Sequence, residues 1–159
     1  MIPRLLQTAP APVPPTIVPA FEGRYRFLSN FFAVPIEMDG TIYRSVEHAY
    51  QASKTFVESA RIMIWSLPRA GAAKRAGREV PIRPDWESVK LGVMRSLLHK
   101  KFAEDPLRGK LLATGDAELV EGNDWGDRFW GRVDGVGDNH LGRLLMQVRD
   151  EIRKGVDRR

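Results

Sequence analysis

Cysteine is absent from this 159-residue sequence, which excludes disulfide bonds, thiolate metal sites and a cysteine nucleophile. Histidine is scarce, with three residues in all, and no set of His, Asp and Glu has the spacing of a metal site. We therefore predict neither a metal nor a cofactor. The sequence also lacks an apolar run of roughly eighteen residues, and prolines interrupt any secretory signal near its start. We expect a cytoplasmic protein without a membrane partner.

The formal charge of +5 favours anionic partners such as phosphates or nucleic acid. Part of this charge is terminal, because Arg153, Lys154, Arg158 and Arg159 lie within the last seven residues. A frayed basic tail accounts for that part. Charge alone therefore names no substrate.

The distribution of proline divides the chain into a leader and a folded part. Residues 1–20 contain six of the eleven prolines and one charged residue, Arg4, so we predict an extended, disordered leader. The folded domain is expected to span residues 21–154, and residues 155–159 form a basic tail. A chain of this length suits one compact domain with its own core.

Turn signals and apolar periodicity predict a mainly helical α+β domain with one or two short β-hairpins. The Asp39-Gly40 pair between apolar segments indicates a hairpin, and Ser45 is a suitable N-cap for a helix to about residue 57. Further helices are predicted over 58–66, 86–103 and 106–115 and from about residue 138. Residues 69–78 suit a helix or a loop, and 118–121 and 128–131 suit short strands or extended loops.

One segment of the first predicted helix combines three polar side chains on one face. Glu47, Gln51 and Lys54 are spaced i, i+4 and i+7, so a helix projects a carboxylate, an amide and an ammonium in the same direction. A solvated helix face accounts for this spacing. In the catalytic interpretation, Glu47 orients a water or stabilises a cationic sugar, while Lys54 contacts a phosphate.

A second candidate segment, residues 123–131, interleaves aromatic residues with acids and glycines. Trp125 and Trp130 have the ring area to stack on a base, and glycine permits close backbone approach to a ligand. A core aromatic cluster with surface acids explains the same composition. The glycine-rich residues 135–142 lead into the last helix and suit either a phosphate cradle or a turn.

Taken together, these segments resemble the NADAR (YbiA-like) family. The resemblance runs from about residue 21 to residue 149 and depends on the order and spacing of several motifs. They are Phe27-Leu28-Ser29-Asn30-Phe31, Ser45-Val46-Glu47-His48-Ala49-Tyr50-Gln51-Ala52-Ser53-Lys54, Asp85-Trp86, Lys101-Phe102, Leu111-Leu112-Ala113-Thr114-Gly115, Leu119-Val120-Glu121, Asp127-Arg128-Phe129-Trp130-Gly131 and Gly137-Asp138-Asn139-His140-Leu141-Gly142-Arg143-Leu144-Leu145-Met146.

The resemblance implies a single YbiA-like domain with N-glycosidase activity. It implies hydrolysis of the C1–N bond of a phosphorylated ribose, in one of two settings. One substrate class is the ribosylaminopyrimidine phosphates of riboflavin biosynthesis, and the other is ADP-ribose attached to guanine in nucleic acid. The basic stretch with Lys74, Arg75 and Arg78 slightly favours ADP-ribosylated guanine, but a solvated loop explains those residues equally well.

The resemblance also implies a set of site residues, carried over position by position. It places Glu47 and Lys54 at the catalytic centre, with Asp127 as an alternative or helping carboxylate. In this scheme Lys54 either protonates the leaving nitrogen or neutralises phosphate, and two tryptophans enclose the base. The implied substrate-binding residues are Asn30, Gln51, Trp86, Trp130, Gly131 and Asn139.

A competing interpretation is a non-catalytic module that binds ADP-ribose or nucleic acid. The same aromatic, glycine and basic residues serve binding without hydrolysis. Retention of Glu47 together with Lys54 favours the enzyme. The leader and the basic stretch over 69–78 depart from the commonest family pattern, which leaves the choice of substrate open.

Overall fold

Six α-helices and two small β-sheets make up residues 9–155, which are the residues that the computed structural model describes. A 3₁₀ turn covers Gly23–Leu28. In chain order the elements are β1 (Ile17–Val18), β2 (Ile36–Met38), β3 (Thr41–Tyr43), α1 (Val46–Ser53), α2 (Glu58–Ser66), α3 (Ala70–Ala76), α4 (Trp86–Lys101), α5 (Leu107–Leu112), β4 (Glu118–Leu119) and α6 (His140–Arg153).

The predicted hairpin is confirmed, with β2 and β3 antiparallel around the Asp39-Gly40 turn. Both turn residues have positive φ angles, 52° and 79°. This conformation matches the right-handed twist of the flanking strands, and Asp-Gly tolerates it well. Ile36 pairs with Tyr43 in the register. Both side chains are buried, so the hairpin covers one edge of the core.

Helix α1 is the central element, because all eight of its residues are buried. Its predicted N-cap is confirmed, since the Ser45 hydroxyl accepts the backbone N–H of His48 at 3.2 Å. The helix ends at Ser53, four residues before the predicted end. There the Thr55 hydroxyl accepts the N–H of Val57 at 3.1 Å, and such a local hydrogen bond competes with further helical turns.

Strands β1 and β4 form a parallel pair that the sequence did not predict. Ile17 pairs with Glu118, and Val18 pairs with Leu119, both members of the second pair being fully buried. β1 therefore lies within residues 1–20, the segment predicted to be a disordered leader. Residues 1–8 and 156–159, which include most of the predicted basic tail, lie outside the described residues.

Helices α4 and α6 supply most of the remaining core. The predicted last helix is present as α6, whose apolar residues Leu141, Leu145, Val148 and Ile152 are buried, and it packs on α4. Helix α4 ends at Lys101, two residues earlier than predicted. Of the two alternatives for residues 128–131, the structure has a loop and no strand, and an isolated bridge joins Gly122 to Arg132 next to it. Among residues 9–155, no helix has the length and apolar character needed to span a membrane.

Candidate active site

A cavity of about 410 Å³ opens beside α1 and the end of β4. α1 supplies one wall, α3 and the turn after it contribute basic side chains, and the loops before α1 and after β4 supply most of the other lining residues. The side chains lining it that bear on the chemistry are Arg26, Asn30, Phe31, Glu47, Tyr50, Gln51, Lys54, Lys74, Arg78, Glu121, Trp125, Asp127 and Trp130. Carboxylates, cationic groups and aromatic rings therefore share one enclosed space.

Glu47 is the most deeply buried of the three glutamates that line the cavity, with 7% of its surface exposed. Gln51 Nε2 donates a hydrogen bond to Glu47 Oε1 at 2.8 Å, as the i, i+4 spacing permits. Burial raises the pKa of Glu47, while the Gln51 hydrogen bond and the charges of Lys74 and Lys54 oppose that rise. The carboxylate is thus fixed in direction and held close to compensating positive charge.

Lys54 follows α1 directly and lines the same cavity. Partial burial lowers its pKa, and the nearby Glu47 charge acts in the opposite direction. Its ammonium lies 5.6 Å from the centroid of the Tyr50 ring. The predicted clustering of Glu47, Gln51 and Lys54 is therefore present, and all three side chains face a cavity instead of bulk solvent.

The second glutamate, Glu121, lies just beyond β4 and was not among the predicted site residues. Its Oε2 atom is buried and has no hydrogen-bond partner. Burial raises the pKa of Glu121 to about 7, with further raising by the charges of Asp127 and Glu47. Besides the exposed Glu22, the cavity is therefore lined by one glutamate held by a hydrogen bond and one with an unpartnered oxygen.

Asp127 also lines the cavity, but one of its oxygens already serves the backbone. Oδ1 accepts the N–H of Phe129 at 3.1 Å and the N–H of Trp130 at 2.8 Å, an Asx-type turn. Trp130 lies against Tyr50, with ring centroids 5.4 Å apart at 89°. Asp127 thus positions Trp130 in the cavity wall and keeps its second oxygen available.

Three of the predicted substrate-binding residues lie outside the cavity lining. Trp86 is buried behind Tyr50, with ring centroids 5.1 Å apart. Gly131 packs so closely against the backbone of Glu121 that an added Cβ would overlap its carbonyl oxygen. Asn139 is fully buried, and its side-chain amide donates a hydrogen bond to the carbonyl of Leu119, the last residue of β4. Each of these three residues contacts a residue that lines the cavity.

Several cavity residues were missed or undervalued in the sequence. Lys74 Nζ lies 5.3 Å from the Trp125 ring centroid and 5.9 Å from that of Phe31, at the rim of the cavity. Asn30, which was predicted, donates to Met94 Sδ at 3.5 Å and leaves its buried Oδ1 without a partner. Such an unpartnered buried oxygen is available to a ligand donor.

Within residues 9–155, no three His, Cys, Asp or Glu side chains are grouped to hold a metal ion.

Comparison with known proteins assigns the family. The NADAR domain model matches residues 20–153. N-glycosidase YbiA of Escherichia coli is 42% identical over 132 residues, covering 80% of this chain and 82% of that protein. A riboflavin biosynthesis protein of Vibrio vulnificus is 41% identical over 132 residues, which cover 80% of this chain and 36% of that longer protein.

The solved structures include a similar fold. The NMR structure of E. coli YbiA superposes with a TM-score of 0.79 at 37% sequence identity, covering 98% of this chain and 94% of that one. The predicted fold class and the N-glycosidase class are confirmed by these matches. The NADAR family model covers nearly all of the described residues, and E. coli YbiA is 42% identical. The chain therefore belongs to the NADAR family.

Proposed function

We propose that this protein hydrolyses the C1–N bond of a phosphorylated ribose, with Glu47 as the catalytic carboxylate. The observation that carries the proposal is the composition of the cavity. A buried carboxylate lies in the same 410 Å³ space as cationic side chains and aromatic rings. These three groups match the three parts of such a substrate, namely the sugar, the phosphate and the base.

Cleavage of a glycosidic C–N bond develops positive charge on C1 and the ring oxygen of the sugar. A fixed carboxylate stabilises that charge and also takes a proton from the attacking water. Glu47 suits this task because the Gln51 amide orients one oxygen. Burial raises the pKa of Glu47, and the Gln51 hydrogen bond and the charges of Lys74 and Lys54 oppose that rise.

The other cavity groups are assigned to recognition of the substrate. Lys54, Lys74 and Arg78 bind phosphate, for which cationic donors are well suited. Trp130 and Trp125 contact the base, and stacking of this kind contributes about 1–3 kcal/mol per base. The partner we propose is therefore a phosphoribosyl or ADP-ribosyl small molecule, or an ADP-ribosyl group on nucleic acid.

Between the two substrate classes, we propose the ribosylaminopyrimidine phosphates of riboflavin biosynthesis. The Vibrio vulnificus relative is named a riboflavin biosynthesis protein, which supports this choice. ADP-ribosylated guanine stays a second candidate because Lys74, Arg78 and the exposed Trp125 form a basic, aromatic rim. Both substrates are charged and cross membranes poorly, so the proposed site of action is the cytoplasm.

A mass-spectrometric turnover assay tests the proposal. The native protein and its Glu47→Gln variant are each incubated with a ribosylaminopyrimidine phosphate and, separately, with an ADP-ribosylated guanine oligonucleotide. We expect release of the free base and ribose 5-phosphate by the native protein. The variant should be slower by about 10²–10⁴-fold, the usual contribution of a positioned acid or base.

Glu58→Gln is the matched control, because Glu58 is an exposed residue in the first turn of α2 and does not line the cavity. The control should keep native turnover. Cleavage of the oligonucleotide alone would assign the second substrate class. Tight binding without product would replace the enzyme with the binding module, and full activity in a folded Glu47→Gln protein would remove Glu47 from the mechanism.

A further inference from the structure

The backbone around Glu121 is fixed from several sides. The side chain of Asn139 accepts the N–H of Glu121 at 3.0 Å and donates to the carbonyl of Leu119 at 2.9 Å. The carbonyl of Glu121 accepts the N–H of Arg132 at 2.9 Å. This many constraints on one residue are typical of a side chain whose direction matters for function.

Two glycines allow other chain segments to approach Glu121 closely: Gly122, the next residue in the chain, and Gly131, which packs against it. A Cβ on Gly122 would overlap the carbonyl oxygen of Pro19, and a Cβ on Gly131 would overlap the carbonyl oxygen of Glu121. The segment after β1 and the loop before α6 are therefore packed directly against this position. Glu121 is held in place by packing as well as by hydrogen bonds.

The side chain of Glu121, by contrast, has an unsatisfied oxygen. Its Oε2 is buried without a hydrogen-bond partner, although the residue lines the cavity. A buried oxygen in this condition is costly when ionised and favours the protonated carboxyl, which can donate a hydrogen bond to a ligand. Glu121 thus lines the cavity with a carboxyl group that has one oxygen without a hydrogen-bond partner.

Four charged groups act on Glu121 from the elements that surround it. The charges of Asp127, in the loop between β4 and α6, and of Glu47, in α1, raise the pKa of Glu121. The charges of Lys74, in α3, and of Lys101, in α4, lower it. Burial is larger than any of these effects and brings the pKa to about 7. Burial also raises the pKa of Glu47, but Glu47 accepts a hydrogen bond from the Gln51 amide, which opposes that rise.

We propose that Glu121 is a second catalytic residue, the general acid that protonates the leaving nitrogen, while Glu47 acts on the sugar and the water. This assignment rests on the proposed function. The two carboxyl groups differ in their contacts, since Glu47 is oriented by the Gln51 amide and Glu121 has an oxygen without a partner. Two carboxyl groups in different surroundings of one site divide acid and base roles in this way. Lys54 is then left to bind phosphate.

The step balances as follows. The C1–N bond breaks and its electron pair stays on nitrogen, which takes the proton of the Glu121 carboxyl. Water adds to C1 and gives a proton to Glu47, so the products are the free amine and ribose 5-phosphate. Glu121 leaves the step ionised and Glu47 leaves it protonated. Proton exchange through solvent restores the starting state.

A leaving-group comparison tests Glu121 as the acid. Glu121→Gln is assayed on the ribosylaminopyrimidine phosphate, whose nitrogen needs a proton, and on 4-nitrophenyl ribose 5-phosphate, whose phenolate departs without one. We expect a loss of about 10²–10⁴-fold on the first substrate and native turnover on the second. Equal losses on both substrates would overturn the assignment. Glu118→Gln is the matched control, because Glu118 pairs with Arg132 outside the cavity lining.

The pH dependence gives a second readout. A required acid with a pKa of about 7 should make native kcat/KM on the aminopyrimidine fall above pH 7, and this fall should be absent in Glu121→Gln. Persistence of the fall in the variant would overturn the proposal.

Failure of the proposed function has its own signature, which is no turnover of any N-glycoside by native protein. In that case NMR titration of the Glu121 carboxyl, assigned with Glu121→Gln, decides the acid assignment without activity. A carboxyl that is still protonated at pH 6 supports it, and one that is ionised at pH 5.5 overturns it.

Discussion

At the scale of single residues, the direction of the Glu47 carboxylate depends on Gln51, and the position of Gln51 depends on Gly77. A Cβ on Gly77 would overlap the side-chain amide of Gln51. The φ angle of Gly77 is −61°, so alanine is compatible with the backbone there. Gly77→Ala should therefore displace the amide without unfolding the protein, and kcat should fall by about 10²-fold, as a displacement near 1 Å can cause.

Steady-state kinetics and thermal unfolding check this prediction together. Gly71→Ala is the matched control, because Gly71 lies at the opposite end of α3 from Gly77 and a Cβ there meets Arg75 and Phe31 only at ordinary contact distances of 3.7 and 3.9 Å. The control should keep native kcat. Native kcat in Gly77→Ala, or an equal loss in both variants, would show that Gln51 does not orient Glu47 during catalysis.

The sequence predicted part of the site at residue level because local spacing determines it. Glu47, Gln51 and Lys54 share a helix face, and the structure brings all three to one cavity. Glu121 lay in a quoted motif but carried no local sign of its role. Its position depends on contacts with Asn139 and Gly131, which are distant in sequence. Placement of Trp86 behind Tyr50 likewise depends on tertiary packing.

At the scale of elements, the pair of β1 and β4 connects the N-terminal segment to the active site. Val18 is fully buried, and the N–H of Val120 donates to its carbonyl at 2.9 Å. Burial of a valine of this kind stabilises by about 1.5–3 kcal/mol. The pair also supports the backbone that leads directly to Glu121.

Removal of residues 1–19 should therefore lower both the thermal unfolding midpoint and kcat. Removal of residues 1–8 is the control, because it leaves β1 in place, and it should change neither quantity. Differential scanning calorimetry and the turnover assay measure the two effects. Unchanged stability after removal of residues 1–19 would show that β1 adds nothing to the fold.

Elements with local signals were predicted well, and elements that depend on distant pairing were not. The β2–β3 hairpin follows from its Asp-Gly turn, and α1 begins at its Ser45 cap. β1 consists of two residues among prolines, and its partner strand lies about a hundred positions later in the chain. No local pattern specifies such a parallel pair, because its stability comes from burial between distant segments.

At the scale of the whole molecule, two ionisable groups, the partly buried Glu121 and the buried Lys101, should make the stability depend on pH. The pKa of Glu121 is raised by burial from its ordinary 4.5 to about 7. The pKa of Lys101 is lowered by burial from 10.5 to about 7. Its ammonium donates to the carbonyl of Ser29 at 2.7 Å. Each group is therefore easier to neutralise in the folded state than in the unfolded chain.

The two groups act on stability in opposite pH ranges. Between pH 4.5 and 7 the folded state binds more protons at Glu121 than the unfolded chain does, so the free energy of unfolding falls as the pH rises. Between pH 7 and 10.5 the folded state binds fewer protons at Lys101, so the free energy of unfolding rises with pH. Their joint contribution is least favourable near pH 7.

Urea unfolding at pH 5, 7 and 9 tests this pH dependence in the native protein, Glu121→Gln and Lys101→Met. At each pH, the free energy of unfolding of the variant is compared with that of the native protein. The contributions of titrating groups that both proteins contain cancel in this difference. From pH 5 to 7, Glu121→Gln should gain stability relative to native. From pH 7 to 9, Lys101→Met should lose stability relative to native. Differences that stay constant with pH would show that neither group changes its protonation on unfolding, and the active site would then impose no pH-dependent cost on the fold.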